Sequence, residues 1–226
     1  GNTVHVVSHV EGFVDSQNYP LVYARSTDAG QSWDVTDYFF EELDASVKTE
    51  FTAEAYALHA RGNTVALAVF GLVEDSYLLV STDNGMTWNR TKIFDFPVDG
   101  YEPDDGLPED PSVAVDFDGD GIAQEYLSTD GAGAVHIDHD GVVHVAFGSM
   151  YYMDVDTTDG WYSSFEMTNG LHYWNSNMEE GASQLVAQAP DFNGNGVLDL
   201  DSLPAGNYNV GLASMPTFAS GESDGL

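Results

Sequence analysis

Two short acidic loops carry the side chains in this sequence that are best suited to chemistry. The first loop has oxygen-bearing side chains at odd-numbered positions and Gly196 at position 6, where a sharp turn is needed. Its candidate ligands are Asp191, Asn193, Asn195, Asp199 and Asp201. Calcium takes about six to eight hard oxygen ligands, and this spacing can supply them. Position 12 is Ser202, so Asp201 is the candidate for the last ligand.

A second loop repeats this spacing earlier in the chain. Its candidate ligands are Asp116, Asp118, Asp120 and Gln124. Position 12 is Leu127, so a last ligand must come from elsewhere. The first loop resembles those of EF-hands, dockerins and integrin-type propellers, and the pair predicts two Ca²⁺ sites. The alternative is a pair of solvated acidic turns.

The charge balance is strongly acidic. The 226 residues include 38 Asp and Glu against 5 Lys and Arg, a net charge of −33. Such a surface repels nucleic acid and anionic membranes, and it favours bound cations or a salty medium. An apolar fraction of 42% is enough for a packed core, and no apolar run reaches the roughly 20 residues of a membrane span. The chain has no cysteine, so the redox compartment cannot be inferred from disulfides.

One octet, Ser-Thr-Asp-x-Gly-x-x-Trp, occurs twice, each time after an apolar run with strand character. Its defining residues are Ser26, Asp28, Gly30 and Trp33 in the first copy, and Ser81, Asp83, Gly85 and Trp88 in the second. The aspartate can accept hydrogen bonds from nearby amides, and the glycine allows a positive φ. The octet therefore predicts a hairpin turn whose tryptophan begins the next strand and packs back over the turn.

The octet resembles the Asp-box, or BNR repeat, of sialidase-like β-propellers of the secreted bacterial type. The resemblance implies an all-β propeller with four-stranded antiparallel blades. It also implies that the box is structural, which assigns no catalytic role to Asp28 or Asp83. A β-sandwich is the alternative fold, but sandwiches do not repeat a turn octet.

Repeated strand patterns divide the chain into blades. Short apolar runs after Gly-containing turns begin near residues 3, 64 and 142, and a third, degenerate octet has Met178 in place of the aspartate. We predict one propeller segment over residues 1–226. Its parts are a blade at 1–45 lacking its first strand, a blade at 51–98, an acidic insertion at 99–131, a blade at 132–187, a second insertion at 188–206 and a first strand at 207–226. Rings usually have about four to eight blades, so we expect an incomplete ring or a fragment of a longer propeller.

The residues of a sialidase site are largely missing. The resemblance implies three groups of residues: three arginines that bind the substrate carboxylate, a Tyr–Glu nucleophile pair, and an Asp that acts as acid and base. The only arginines in the chain are Arg25, Arg61 and Arg90. All three lie next to predicted turns, so no catalytic residue is assigned. Histidines such as His5 and His144 are expected to bond to neighbouring blades. The aromatic run at 161–174 is expected to pack between blades rather than to stack on sugars.

These features predict a non-catalytic, secreted or cell-surface propeller module that binds a glycan or a protein, or that builds an assembly, with calcium as a stabiliser. The alternative is a sialidase-like glycoside hydrolase whose catalytic residues lie partly outside this chain. The expected partners are calcium ions and a glycan or protein at the cell surface, without nucleic acid. The expected location is extracellular or on a bacterial cell surface, in a marine or saline setting.

Overall fold

The structure, a computed structural model, describes residues 2–102, 104–116, 119–189, 211, 213–219 and 221. These residues form antiparallel strands and one 3-10 turn at Glu41–Leu43, which confirms the predicted all-β class. The strands are β1 Val4–His9, β2 Phe13–Val14, β3 Gln17–Asn18, β4 Leu21–Ser26, β5 Val35–Phe39, β6 Tyr56–Arg61, β7 Thr64–Val69, β8 Ser76–Ser81, β9 Asn89–Phe94, β10 Tyr126–Ile137, β11 Val143–Met153, β12 Ser163–Asn175 and β13 Gln184–Ala187. The described part of the chain contains no helix long and apolar enough to cross a membrane.

The strands form three main sheets, and equivalent strands pair in the same register within each sheet. Sheet 1 has the order β1-β4-β5, sheet 2 β6-β7-β8-β9 and sheet 3 β10-β11-β12-β13, while β2 and β3 form a small hairpin. Val4 pairs with Ser26 in sheet 1, and Val65 pairs with Ser81 in sheet 2. In sheet 3 the amide of Ser176 donates to the carbonyl of Val143 at 2.9 Å. The degenerate third octet therefore occupies the same place in its sheet as the two complete ones.

Sheet 2 lies between the other two and buries both of its faces. Side chains alternate along a strand. On β7, Val65 and Leu67 pack with residues of sheet 1, and Ala66 and Ala68 pack with residues of sheet 3. All four are fully buried. Burying a side chain as large as valine or leucine contributes about 1.5–3 kcal/mol, so the two faces of sheet 2 are a major source of stability.

Because consecutive strands run antiparallel, their connections lie alternately at two opposite ends of the sheets. We name them the turn end and the loop end. The turn end comprises residues 27–34, 62–63, 82–88, 138–142 and 176–183. The loop end comprises the longer segments 10–20, 40–55, 70–75, 95–125 and 154–162. Both octets are at the turn end, whereas the loop after β9 carries the acidic loop that begins at Asp116.

The predicted insertion at 99–131 is shorter than expected and partly buried. Strand β10 already begins at Tyr126, and Leu107 and Ala114 belong to the core between sheets 2 and 3. The hydroxyl of Tyr126 donates to the carbonyl of Pro108 at 2.8 Å, which ties the loop to the strand.

The polar run Ser128-Thr129-Asp130 is typical of a turn but lies inside the sheet. Its polar groups are satisfied there, because Thr129 Oγ1 donates to the Gly71 carbonyl at 2.6 Å and Asp130 accepts the amide of Ala132 at 3.0 Å. The register shifts between Thr129 and Gly133, as expected where extra residues are accommodated in one strand.

The predicted first strand at 207–226 is only partly described, and residues 190–210 of the second insertion and of this strand lie outside the described residues. Residues 213–219, which we call the tail segment, are not in a strand. The tail segment lies beside β10. The amide of Gly211 donates to Asp130 Oδ2 at 2.9 Å, and the rings of Phe218 and His136 have centroids 6.0 Å apart.

Candidate functional site

The two octets use their polar side chains within their own turns. In the first, Ser26 Oγ accepts the amide of Gly30 at 2.8 Å, and Asp28 Oδ1 accepts the amide of Ser32 at 2.8 Å. In the second, Ser81 Oγ accepts the amide of Gly85 at 2.7 Å. Asp83 Oδ1 likewise accepts the amide of Thr87 at 2.9 Å. Both carboxylates are therefore engaged in holding a turn.

The hydrogen bonds to Asp28 predict how the stability of the protein depends on pH in acid. Hydrogen bonds from the hydroxyl and amide of Ser32 lower the pKa of Asp28 to about 2. A carboxyl whose pKa is lowered by folding stabilises the protein above its unfolded pKa, and the contribution is lost as the pH falls. Between about pH 4 and pH 2, the urea midpoint of Asp28→Asn should therefore vary less with pH than that of the wild type. Identical pH profiles would contradict the role of this carboxylate.

The two octet tryptophans differ, which the sequence did not predict. Trp88 is buried, and its ring makes edge contacts with Tyr23 of β4 and with Phe40, which directly follows β5, at centroid distances of 5.3 and 5.2 Å. Trp33 is 42% exposed. The reason is that the second turn lies against sheet 1, where Arg25 Nη1 donates to the Asn84 carbonyl at 2.8 Å. No described sheet precedes sheet 1 to cover the first turn in the same way.

A cleft lies at the loop end, away from the octets. Its volume is about 430 Å³, within the usual range of small-molecule sites. Four loop segments supply its lining, namely 49–52, 72–74, 101–102 and 160–162. We call it the loop-end cleft. Its polar and aromatic lining residues are Glu50, Glu74, Glu102, Tyr101, Trp161 and Tyr162.

A buried lysine pairs with one of the residues that line the loop-end cleft. Lys48 is only 2% exposed, and its ammonium group forms an ion pair with Glu74. The same ammonium lies 5.4 Å from the centroid of the Phe51 ring. Desolvation raises the pKa of Glu74, although Lys48 opposes this effect. Lys48 is thus committed to Glu74 and does not offer a free positive charge to a ligand.

Tyr101 is held in place by a buried carboxylate. Its hydroxyl donates to Asp154 Oδ2 at 2.6 Å, and Asp154 is only 3% exposed. Burial, together with this bond and the Asp154 charge, raises the pKa of Tyr101. The phenol therefore stays protonated at neutral pH and acts as a hydrogen-bond donor rather than as a nucleophilic phenolate.

Two aromatic side chains, Trp161 and Tyr162, also line the cleft. Trp161 is 77% exposed, the largest exposed fraction among the exposed hydrophobic residues of the described chain. Tyr162 is 36% exposed, and its ring packs edge-on against Tyr152 at 5.5 Å. Burial raises the pKa of Tyr162, and the nearby Glu50 and Glu74 raise it further. The expectation that this aromatic run serves packing is right for the buried Trp174 and wrong for Trp161.

None of the three arginines lines the loop-end cleft as the structure describes it. Arg25 is buried and bonds to Asp34 and to the second octet turn. Arg90 donates to the Glu42 carbonyl at 2.7 Å and lies 5.1 Å from the Tyr77 ring centroid. Arg61 ends β6 at the turn end. A cluster of arginines for a substrate carboxylate is therefore not formed by the described residues.

The calcium prediction is only partly covered by the structure. Asp118, Asp191, Asn193, Asn195, Asp199 and Asp201 lie outside the described residues. In the earlier loop, the two carboxylate oxygens of Asp116 accept the amides of Gly119 and Gly121 at 2.8 and 3.0 Å. Asp120 Oδ1 accepts the amide of Ile122 at 2.8 Å, and Gln124 is buried. Calcium binding at these loops stays a prediction.

The strand histidines bond both to neighbouring sheets, as expected, and within their own sheets. Nδ1 of His59 on β6 accepts the amide of Ile137 on β10 at 3.0 Å. His5 Nδ1 lies 2.7 Å from the Tyr23 hydroxyl in sheet 1. His144 Nδ1 lies 2.7 Å from the Tyr173 hydroxyl in sheet 3. The equivalent registers explain the two bonds within a sheet, because they place a tyrosine diagonally opposite the histidine in both sheets.

A group of Asp138, His139 and Asp140 lies at the turn end with ligand atoms within 4.8 Å of one another. Asp138 Oδ1 already accepts the amides of Asp140 and Val142, and Oδ2 lies 3.1 Å from His144. Asp138 therefore caps its turn, and these hydrogen bonds explain its position.

Known proteins offer few parallels. No protein-family model matches the chain, and no curated protein matches it. Solved structures with similarity include Trypanosoma rangeli sialidase in complex with 2,3-difluorosialic acid, at 13% identity and a TM-score of 0.35. They also include Trypanosoma rangeli sialidase, at 15% and 0.33, and the same enzyme in complex with sialic acid, at 11% and 0.32. Each alignment covers 82% of this chain and 36% of the other, so this chain spans about a third of those chains. TM-scores this low do not establish a shared fold.

Sequence reasoning missed several residues of the cleft. Lys48, Glu74 and Asp154 carry no motif, and they meet only because separate loops converge at one end of the sheets. A usable signal was the scarcity of positive charge, since Lys48 is one of 5 basic residues in the chain. A lone lysine in so acidic a sequence is expected to have a carboxylate partner.

Proposed function

We propose that this chain is a non-catalytic carbohydrate-binding module that holds a neutral glycan in the loop-end cleft. The observation that carries the proposal is Trp161, a large aromatic side chain left 77% exposed at the edge of a cleft lined by carboxylates. Isolated exposed aromatics are common, but this one adjoins Tyr162 and lines the same cleft as polar groups suited to hydroxyls.

The chemistry of the lining suits a sugar ring. The apolar face of a pyranose can stack on Trp161, since indole offers a large flat surface. Glu50 and Glu102 are acceptors for sugar hydroxyls, and hydrogen bonds to a charged acceptor are stronger than neutral ones. The protonated Tyr101 adds one hydroxyl at a fixed position, because Asp154 orients it.

The same lining argues against an acidic sugar. Glu50 and Glu102 give the cleft a negative potential, which repels a carboxylate or sulfate. Lys48 is paired with Glu74, and the arginines lie elsewhere. A neutral hexose or a cationic amino sugar is therefore the favoured ligand class.

Replacing Trp161 with alanine should weaken binding to neutral oligosaccharides by about tenfold or more, as is typical for an aromatic anchor in a binding site. Affinity electrophoresis in gels containing neutral polysaccharides, followed by calorimetry on the best one, measures the effect. Trp33→Ala is the matched control, since Trp33 is exposed at the turn end and should leave binding unchanged. Equal binding by the wild type and Trp161→Ala would refute the proposed site, and preferential binding of sialylated sugars would refute the ligand class.

The overall architecture we propose is an Asp-box β-propeller segment, secreted or at the surface of a bacterial cell. Three features support it. The sheets share one register, sheet 2 packs through both faces, and the second octet turn rests on the preceding sheet. The net charge of −33 supports a saline, extracellular setting, because salt screens the self-repulsion of so acidic a protein.

We also propose that calcium stabilises the acidic loops. In the described loop, Asp116 and Asp120 supply carboxylate oxygens, the kind of ligand that a hard cation prefers. Adding a chelator at fixed ionic strength should lower the melting temperature, and restoring calcium should reverse the change. Asp116→Asn, which keeps the shape of the side chain and removes its charge, should reduce the chelator effect. An unchanged melting temperature would contradict calcium binding.

A glycoside hydrolase is the second candidate, and the pair of Tyr101 and Asp154 favours it. A tyrosine bonded to a carboxylate at 2.6 Å is one arrangement of a nucleophile with its base. The raised pKa of Tyr101 weakens this alternative, since activation calls for easier deprotonation. Release of fluorophore from aryl glycosides by the wild type, abolished in Tyr101→Phe, would replace the binding proposal with the enzyme.

A further inference from the structure

A second cleft adjoins the loop-end cleft. Its volume is also about 430 Å³. Four residues line both clefts, namely Thr49, Glu74, Tyr101 and Glu102. From these shared residues the second cleft extends onto strands β8 and β9, where Tyr77 and Arg90 line it. We call it the Arg90 cleft.

Arg90 is an exposed cation that forms no ion pair with a described carboxylate. Lys48, which lines the same cleft, is paired with Glu74. Arg90 Nη1 donates to the Glu42 carbonyl at 2.7 Å, and the guanidinium lies 5.1 Å from the centroid of the Tyr77 ring. A guanidinium has five N–H donors, and the described hydrogen bonds use one of them. Arg90 therefore offers a ligand several hydrogen-bond donors on a planar group that is already held in place.

The two clefts offer a ligand different groups. Glu50 and Glu102 supply acceptors in the loop-end cleft, whereas Arg90 supplies donors in its own cleft. A hydroxyl both donates and accepts hydrogen bonds, so a chain of neutral sugars has groups that match both clefts. Asp99 and Glu102, both exposed, also line the Arg90 cleft, and their charges offset that of Arg90. An acidic sugar therefore gains no net attraction there.

Buried partners hold the residues at the junction of the two clefts. Glu74 pairs with Lys48, which is 2% exposed, and Tyr101 donates to Asp154, which is 3% exposed. Groups that are fixed before binding lose little conformational freedom when a ligand arrives. The junction is thus preorganised for a ligand that crosses it.

We propose that the two clefts form one groove that binds a linear neutral oligosaccharide. One sugar unit stacks on Trp161 in the loop-end cleft, and further units of the same chain cross the junction at Tyr101 and accept hydrogen bonds from Arg90. This inference rests on the proposed glycan function and extends it, because it makes the ligand a chain of several units rather than a single sugar. The Arg90 cleft strengthens binding only when the chain is long enough to reach it.

Calorimetry with oligosaccharides of increasing length tests the groove. The probes are neutral cello-, manno-, xylo- and N-acetylchito-oligosaccharides, from disaccharides to hexasaccharides. For at least one series, the affinity of the wild type should rise with length by about tenfold, which is the effect expected of one or two hydrogen bonds to a charged group. Arg90→Met should lose this rise, because methionine keeps much of the apolar volume and removes the donors. The length dependence of the wild type tests the groove without any variant.

Arg61→Met is the matched control, because it removes the same charge from an exposed arginine at the turn end. It should keep the rise in affinity with length. Equal affinity of the wild type for short and long chains, or the same loss in Arg61→Met and Arg90→Met, would overturn the groove. Stronger binding of oligogalacturonates than of neutral chains, lost in Arg90→Met, would make Arg90 part of an anion site and would also overturn it.

The outcomes separate this inference from the proposed function. Binding that is independent of length and lost in Trp161→Ala would keep the glycan site and remove the second cleft from it. Binding to none of the neutral series, or binding that Trp161→Ala leaves unaffected, would refute the glycan site itself and the groove with it.

Discussion

Gly85→Ala is expected to lower the free energy of unfolding by about 3 kcal/mol or more, because it combines backbone strain with a severe overlap. Gly85 has a φ of +80°, and an added Cβ would lie 1.9 Å from the hydroxyl oxygen of Tyr23. Tyr23 is fully buried, and its hydroxyl is bonded to His5, so the ring has no space in which to move aside.

The equivalent residue of the first octet provides a matched control. Gly30 has nearly the same φ, +84°, but an added Cβ would meet nothing within 4 Å. Gly30→Ala should therefore cost only about 1 kcal/mol, the cost of the backbone conformation alone. Urea unfolding followed by circular dichroism measures both variants. Equal losses would contradict the packing of the second octet turn against sheet 1.

Arg25→Met is expected to lower the free energy of unfolding by about 2–3 kcal/mol. The Arg25 side chain is 8% exposed, its guanidinium pairs with Asp34, and it donates to the Asn84 carbonyl at 2.8 Å. Breaking a buried pair costs about 3–5 kcal/mol, and we reduce this figure because Asp34 is 38% exposed and can be rehydrated. Methionine retains much of the apolar volume, so the loss reports mainly on the polar bonds.

Arg90→Met is the control for this substitution. Arg90 also donates to a backbone carbonyl, but its side chain is exposed, and the expected cost is below about 1 kcal/mol. Thermal and urea unfolding of both variants give the comparison. If Arg90→Met were as costly as Arg25→Met, the link between the second octet and sheet 1 would not be a special source of stability.

The sequence predicts the sheets well because their signals are local. The serine, aspartate and glycine of each octet form their turn within a few residues, as the bonds of Ser26 and Asp28 show. The all-β class and the position of sheet 2 strands follow from apolar alternation and short turns. The octet does not specify which sheet packs against its turn. Trp33 and Trp88 therefore have the same position in the motif but differ in burial.

The loop-end cleft could not be predicted in the same way. Its contacts join residues far apart in the chain, such as Lys48 with Glu74 and Tyr101 with Asp154. Such pairs depend on how the loops fold over the ends of the sheets, and no periodic pattern records that. The buried residues Ser128 and Thr129 fall within the predicted insertion at 99–131 for a related reason, since their hydrogen-bond partner Gly71 lies in a connection of another sheet.

Fluorine NMR of protein labelled with 5-fluorotryptophan tests the central claim most directly. The chain has four tryptophans, Trp33, Trp88, Trp161 and Trp174, which give separate probes at the turn end, in the core and at the loop end. On titration with a neutral oligosaccharide, the resonance that is absent from Trp161→Phe should shift in a saturable way, and the other three should stay in place. A shift of the Trp33 resonance instead, or no shift with any neutral sugar, would contradict a glycan site in the loop-end cleft.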